Sequence, residues 1–248
     1  MYAARPKTVP SAESEAAEVD HVPLLDDAID NDAALEKKPT WRGWIHAGTF
    51  PLATAAGIVL IVLADGPAAK ASSAIFMATS MLLFGVSAVY HRFNWSPKVK
   101  EVFRRLDHSN IFLLIAGTYT PLAVNALEFP NNVIMLSIIW GGATIGILSR
   151  IFWLKAPRWS YVALYILLGW TAIIYMADLF AANPVTMVLV IIGGLAYTTG
   201  AVFYGLKRPN PIPGVFGFHE LFHSCTLIAF ICHWTAILLL VMNPAVGG

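Results

Sequence analysis

The chain has 248 residues, 57% of them hydrophobic and only 12% charged, with a positive mean hydropathy. Sixteen Lys and Arg against fifteen Asp and Glu leave a net charge of +1. That balance offers no basic face for nucleic acid, and the apolar excess excludes an ordinary soluble domain in favour of a membrane protein.

Residues 1–40 hold nine of the fifteen acids, from Glu13 to Glu36, and read as a disordered acidic tail. The tail contains no apolar run followed by a small-residue cleavage site, so a signal peptide is not expected. Residues 41–248 form the second region. A hydrocarbon core about 30 Å thick takes about 20 mostly apolar residues per helical crossing. Seven stretches qualify, at about 46–64, 72–91, 107–127, 133–152, 160–180, 185–205 and 219–242. The breaks between them carry turn formers and charges: Asp65-Gly66-Pro67, Asn94 to Arg105, Pro130-Asn131-Asn132, Lys155 to Arg158, Asn183-Pro184 and Lys207 to Gly217. The expected fold is an all-α integral membrane protein, a seven-transmembrane helix bundle.

Basic residues alternate between the two sides of this bundle. Lys37, Lys38 and Arg42 precede the first span. Arg92, Lys98, Lys100, Arg104 and Arg105 follow the second, Arg150, Lys155 and Arg158 follow the fourth, and Lys207 and Arg208 follow the sixth. The opposite segments carry only Lys70. The positive-inside rule therefore puts the N-terminus in the cytoplasm and the C-terminus outside. Trp41, Trp44, Trp95, Trp153 and Trp159 fall at the same cytoplasmic boundary, as an interfacial belt does.

This topology gathers the histidines in one layer. His46 opens span 1, His91 closes span 2, Asp107 and His108 open span 3, and His219 and His223 open span 7. Zinc takes three or four N, O or S ligands at about 2 Å, so ligands from distant sequence must meet at one depth. His219 and His223 are i,i+4 on one helix face, the spacing that lets two imidazoles share an ion. His91 is the candidate third ligand, Ser87 lies one turn before it, and Asp107 supplies a carboxylate nearby. His108 lies about 100° round the helix from Asp107 and is not expected to face the same centre. His233 is on the His219/His223 face but roughly 15 Å deeper, so it reads as a buried hydrogen-bonding or substrate-tunnel residue. Cys225 and Cys232, roughly 10 Å apart on a helix, read as packing residues rather than a disulfide.

His219-Glu220-Leu221-Phe222-His223 also matches H-E-x-x-H, the zinc protease motif in which the Glu is the general base. The extended pattern fails, because Thr226 stands at its Gly position and Ala229 at its last His. No aspartate follows His223, which removes the third ligand of an intramembrane zinc protease. Glu220, adjacent to His219, points elsewhere on the helix. Two further patterns concern packing: Gly142-x-x-x-Gly146 as a helix-packing face, and Pro121 as a kink in span 3 that opens a cavity.

The segments "SAVYHRF" (87–93), "LDHSNIFLLIAGTYTP" (106–121) and "FHELFHSCTLIAFICHW" (218–234) resemble the hemolysin III family, the bacterial branch of the progestin and adipoQ receptor superfamily. "WIHAGTFPLA" (44–53) looks like that family's first-span histidine motif. It departs from the family before His46, where Gly43 or Trp44 and Ile45 replace the usual Asn and Thr. The resemblance covers residue 41 onward. It implies a seven-helix bundle in a bacterial cell membrane and a zinc ion near the inner face, held by His91, His219 and His223. Asp107 would contact that ion through water, with Ser87 nearby. Receptor members commonly carry Gln at the position of Glu220, which argues against Glu220 as a required base.

The superfamily's likeness to alkaline ceramidases implies an acyl-lipid substrate, with an amide or ester hydrolysed at the zinc and Asp107 as the proton acceptor. Two other functions stay open at this point: a non-catalytic sensor or regulator of membrane lipid state with a structural zinc, and a pore-forming cytolysin, as the family name says.

Overall fold

The computed structural model describes residues 38–153 and 156–245. Most of the acidic segment 1–40 lies outside the described residues. Eight α-helices follow: α1 (Trp44–Leu63), α2 (Gly66–Arg92), α3 (Pro97–Ala126), α4 (Asn131–Phe152), α5 (Arg158–Gly169), α6 (Met176–Ala182), α7 (Pro184–Leu206) and α8 (Phe218–Met242). A 3-10 segment, Thr171–Tyr175, joins α5 to α6. The described residues form no strand beyond a single bridge between Ile212 and Phe216.

Local sequence sets the helix starts. Proline occupies the first turn of α2, α3 and α7, where its missing N–H is no loss. At α7 the Asn183 side chain also accepts from the Thr186 N–H at 3.1 Å. Pro97 corrects one expected boundary. The segment from Asn94 to Arg105 is not a loop through its length, because α3 begins at Pro97 and Lys98, Lys100, Arg104 and Arg105 stand on its first turns. These residues favour helix when their charged ends can reach water.

Helices pack mostly in chain order, and α8 closes the ring by contacting both α7 and α1. The exception is α3, which touches α2, α4, α5, α6 and α8 and so occupies the middle. It buries fifteen residues, among them Ser109, Asn110, Thr118, Thr120 and Asn125. A helix surrounded by protein tolerates such polarity, whereas a lipid-facing one does not. Among the described residues, six segments are long and apolar enough to cross a membrane: Trp44–Leu63, Gly66–Arg92, Asn131–Phe152, Trp159–Ala182, Pro184–Leu206 and Phe218–Met242. The chain is a multi-pass membrane protein; α3 is 30 residues long but more polar than these six.

Lipid provides little hydrophobic drive between helices, so close packing must supply the attraction. At Gly117 of α3 an added Cβ would overlap Thr79 of α2, and at Gly146 of α4 it would overlap the Phe112 ring of α3. Gly142 instead faces Leu168 of α5, so the Gly142/Gly146 pair serves two neighbours rather than one. Beneath the histidine layer, Phe230 stacks on Phe76 (centroids 5.6 Å apart) and meets Phe84 edge-on at 5.2 Å. α3 runs through Pro121 without a break, and Cys225 and Cys232 are free thiols.

The expected span 160–180 is not one continuous helix. Its α-helical hydrogen bonding is interrupted after Gly169, where the chain tightens into the 3-10 turns of Thr171–Tyr175. The Tyr119 hydroxyl of α3 replaces what is lost, donating to the Gly169 carbonyl at 2.6 Å and accepting from the Ala172 N–H at 2.9 Å. A backbone break at membrane depth is tolerated only where such partners exist. Tyr119→Phe removes both bonds and leaves the backbone groups bare, a loss of about 1–3 kcal/mol. Thermal unfolding in detergent should show a lowered midpoint. An unchanged midpoint would mean the break is satisfied in another way.

Candidate metal centre

α2 carries His91 in its last turn, and α8 carries His219 and His223 in its first two. The packing of the ring brings these ends together. His91 Nε2 lies 3.2 Å from His219 Nε2, and one ring nitrogen from each of His91, His219 and His223 falls within 4.8 Å of the others. Two ligands on a tetrahedral zinc with Zn–N of 2.0–2.1 Å sit about 3.3 Å apart, so the His91–His219 pair already has the separation an ion requires. Three imidazoles also provide the donor type zinc takes. These residues fit the metal.

Asp107 reaches the cluster from α3, its Oδ2 3.7 Å from His91 Nε2. That exceeds a direct hydrogen bond. The Ser87 hydroxyl, one turn before His91, also faces the carboxylate. From α1, His46 lays its ring against His223 with centroids 3.7 Å apart and planes 11° from parallel. It also meets Phe84 edge-on at 5.1 Å. Both His46 ring nitrogens are buried and have no hydrogen-bond partner among the described residues, and His46 is not part of the close group of three nitrogens.

Glu220, at 1% exposure, turns away from the cluster. Its Oε1 accepts from Arg42 Nε at 2.6 Å, and its Oε2 accepts from the Gly217 N–H at 2.8 Å. It therefore caps α8 and anchors the segment before α1. That segment continues as a strap. The Thr40 and Trp41 N–H groups donate to the Gly214 and Val215 carbonyls, each at 3.2 Å. Lys38 Nζ donates to the His91 and Phe93 carbonyls at 3.3 and 2.8 Å. The strap thus ties the end of α2 to the start of α8.

A cavity of about 100 Å³ opens on the cluster. His46, Ser87, Asp107, His219 and His223 line one end, and His233 lines the other, with mainly apolar side chains between. His233 is separate from the three-nitrogen group. His108 is not part of the three-nitrogen group, as expected from its helical angle, although it lines the same cavity. Its Nε2 is 3.2 Å from the Tyr204 hydroxyl, and its Nδ1 is 3.4 Å from Arg150 Nη2.

Sequence reasoning missed two contributors here. Arg150 was counted as a cytoplasmic charge, yet it is 1% exposed and sits 4.1 Å over the Tyr161 ring. Its place inside the apolar run "ILSRIF" rather than beyond it is the signal for burial. Arg42, 178 residues from Glu220, leaves no spacing signal at all.

A model of the haemolysin III-related family matches residues 35–234. The chain belongs to that family. It is 33% identical over 157 residues to a hemolysin-3 homolog of Bacillus subtilis, covering 63% of this chain and 70% of the relative. Identity to hemolysin-3 of Bacillus cereus is 35% over 151 residues, covering 59% and 68%. A more distant likeness, 27% over 188 residues, is to progestin and adipoQ receptor-like protein 1 of Caenorhabditis elegans, covering 68% of this chain and 43% of the relative. The haemolysin III match spans all four helices that carry the cluster and its surroundings, α1, α2, α3 and α8 up to Trp234.

Glu220→Ala leaves the Arg42 guanidinium and the Gly217 N–H without their partner. The expected cost is about 2–4 kcal/mol, as for breaking hydrogen bonds to a buried charge. Differential unfolding of the purified variant checks this, and bound metal should stay at the wild-type level. Loss of metal with intact stability would make Glu220 a member of the centre instead.

Proposed function

We propose that this haemolysin III-related protein is a zinc-dependent hydrolase of a lipid amide or ester. The observation that carries the proposal is the opening of His219 and His223 of the three-histidine cluster, with Asp107, onto a mainly apolar cavity inside the bundle. A zinc-dependent hydrolase of acyl lipids needs these things together: a metal position, a proton acceptor next to it, and an apolar channel for the chain.

His91, His219 and His223 would hold the zinc ion, which would supply Lewis acidity toward a carbonyl and a water nucleophile near neutral pH. The chain's own residues do the rest. The cavity takes the acyl chain and excludes bulk water from it. Ser87 orients the Asp107 carboxylate, and Asp107 accepts a proton from the attacking water. The water oxygen joins the carbonyl carbon, the C–N or C–O bond breaks, and the proton on Asp107 passes to the leaving nitrogen or oxygen. Glu220 takes no part, since both its oxygens are engaged by Arg42 and Gly217.

The proposal includes seven crossings, with α3 as the third and α5, the 3-10 segment and α6 together as the fifth. It puts the N-terminus and the metal layer on the cytoplasmic side. The polarity of α3 supports this through its central position, and the alternation of basic segments supports the orientation. A periplasm-active reporter fused after Val241 should be active, and a cytoplasm-active one should not. The reverse pattern would overturn the orientation.

One observation favours a second reading, in which zinc is structural and the protein senses or regulates membrane lipid state. His46 lies on His223 with two unpartnered ring nitrogens and is close enough in space to be weighed as a fourth donor. A fourth protein ligand would close the site to chemistry. Asp107→Asn separates the two. Under the hydrolase reading the variant keeps its zinc and its unfolding midpoint, while release of fatty acid from ceramide or phospholipid falls about 100-fold or more. Zinc-loaded wild type that releases no fatty acid from either lipid class would favour the structural reading.

A further inference from the structure

Arg150 is a charge that the bundle leaves unbalanced. It stands in the last turn of α4 at 1% exposure, and among the described residues no carboxylate pairs with it. Arg42 holds Glu220, Arg105 holds Glu101, and Asp107 lies with His91. The Tyr161 ring against the guanidinium offsets part of the cost of burial but cancels none of the charge. Nε and Nη1 are buried without a partner, so they touch nothing that enters the cavity. A cation within a membrane bundle calls for a counter-charge, and here the described residues supply none.

The remaining nitrogen connects Arg150 to the cavity. Nη2 is 3.4 Å from His108 Nδ1, and His108 lines the cavity beside Asp107. A guanidinium only donates, so Nδ1 accepts and the imidazole carries its hydrogen on Nε2. Nε2 in turn donates to the Tyr204 hydroxyl at 3.2 Å. Tyr204 lines the cavity too, its ring 5.8 Å from that of His219. The other cavity tyrosines stand apart from this line. Tyr165 donates to the His108 carbonyl at 3.0 Å, Tyr119 covers the break after Gly169, and Tyr197 lies beside His233 at the far end. Arg150, His108 and Tyr204 thus form a chain of donors from a buried cation to the cavity wall next to the metal cluster.

We propose that this chain is an anion subsite, which selects acyl lipids with a phosphate beside the acyl ester over neutral lipids such as ceramide. The inference deepens the acyl-lipid reading and rests on it. In a glycerophospholipid the ester and the phosphate hang from one short glycerol unit, so a carbonyl at the metal puts the phosphate next to it. Ceramide offers only hydroxyls there. His108 and Tyr204 are the residues that touch the phosphate. Arg150 is a positioning residue behind them: it fixes the His108 tautomer and supplies the positive charge.

The test compares two lipids that differ only in the phosphate, palmitoyl lysophosphatidate and monopalmitoylglycerol, binding to zinc-loaded protein in detergent. Wild type should bind the phosphorylated lipid at least about tenfold more tightly, the scale of one hydrogen bond to a charged group. Arg150→Met should lower that ratio about tenfold, with bound zinc and affinity for monopalmitoylglycerol unchanged. A merely structural role would weaken both lipids alike. Arg150→Lys keeps the charge and should restore part of the ratio, and Tyr204→Phe should lower it by less than Arg150→Met. Equal binding of the two lipids by wild type, or a ratio unchanged in Arg150→Met, would overturn the inference alone. Displacement of lysophosphatidate by an equal concentration of inorganic phosphate would also overturn it, because the site would then take a free anion without the lipid. Binding of neither lipid would overturn the inference and the acyl-lipid reading together.

Discussion

The fold depends on one constraint: the end of α2 and the start of α8 must meet, although His91 and His219 are 128 residues apart. Neither helix can bring this about alone. α1 packs on both α2 and α8, and the strap before it anchors each of them. Lys38 holds the carbonyls at the end of α2, while Arg42 holds Glu220 at the start of α8. A metal shared by His91, His219 and His223 would act along the same line, joining the same two helix ends. The ion pair, the strap and the histidine cluster are thus three fastenings at one junction, and the cavity begins where they end.

The rest of the bundle follows from the absence of water. Backbone and side-chain polar groups at membrane depth must find partners within the protein. Tyr119 covers the break between α5 and α6, and serine and threonine hydroxyls along α1, α2, α3 and α4 return to carbonyls three or four residues earlier. Arg150 is held against Tyr161 and His108. Buried polar atoms without a hydrogen-bond partner among the described residues include the Ser73 and Ser109 hydroxyls, two nitrogens of Arg150 and ring nitrogens of His46 and His233, of which only the two histidines line the cavity.

Much of this was legible in the sequence, for a physical reason. Seven apolar stretches show themselves in the sequence, six of which fall on segments long and apolar enough to cross a membrane among the described residues, and the i,i+4 spacing of His219 and His223 needs only helical geometry. His91 and Asp107 could be joined to them because helices that cross a slab return to the same depth. The cost of that simple rule shows at α3 and α5. Pro97 starts α3 ten residues before the apolar run at 107–127, because a helix need not stop at the membrane surface. The break after Gly169 was invisible because its cause is Tyr119, on another helix. Arg42–Glu220 and Arg150–His108 were likewise out of reach: contacts between residues 178 and 42 positions apart are set by packing, which hydropathy does not encode.

The central claim is that three histidines from two helices hold one zinc ion. The most direct measurement is zinc K-edge X-ray absorption on purified protein, wild type beside His91→Ala. The account predicts about one zinc per wild-type chain with three imidazole nitrogens at about 2.0 Å and no sulfur, and loss of that signal in the variant. No bound zinc in wild type, a sulfur shell from Cys225 or Cys232, or an unchanged spectrum in His91→Ala would contradict it.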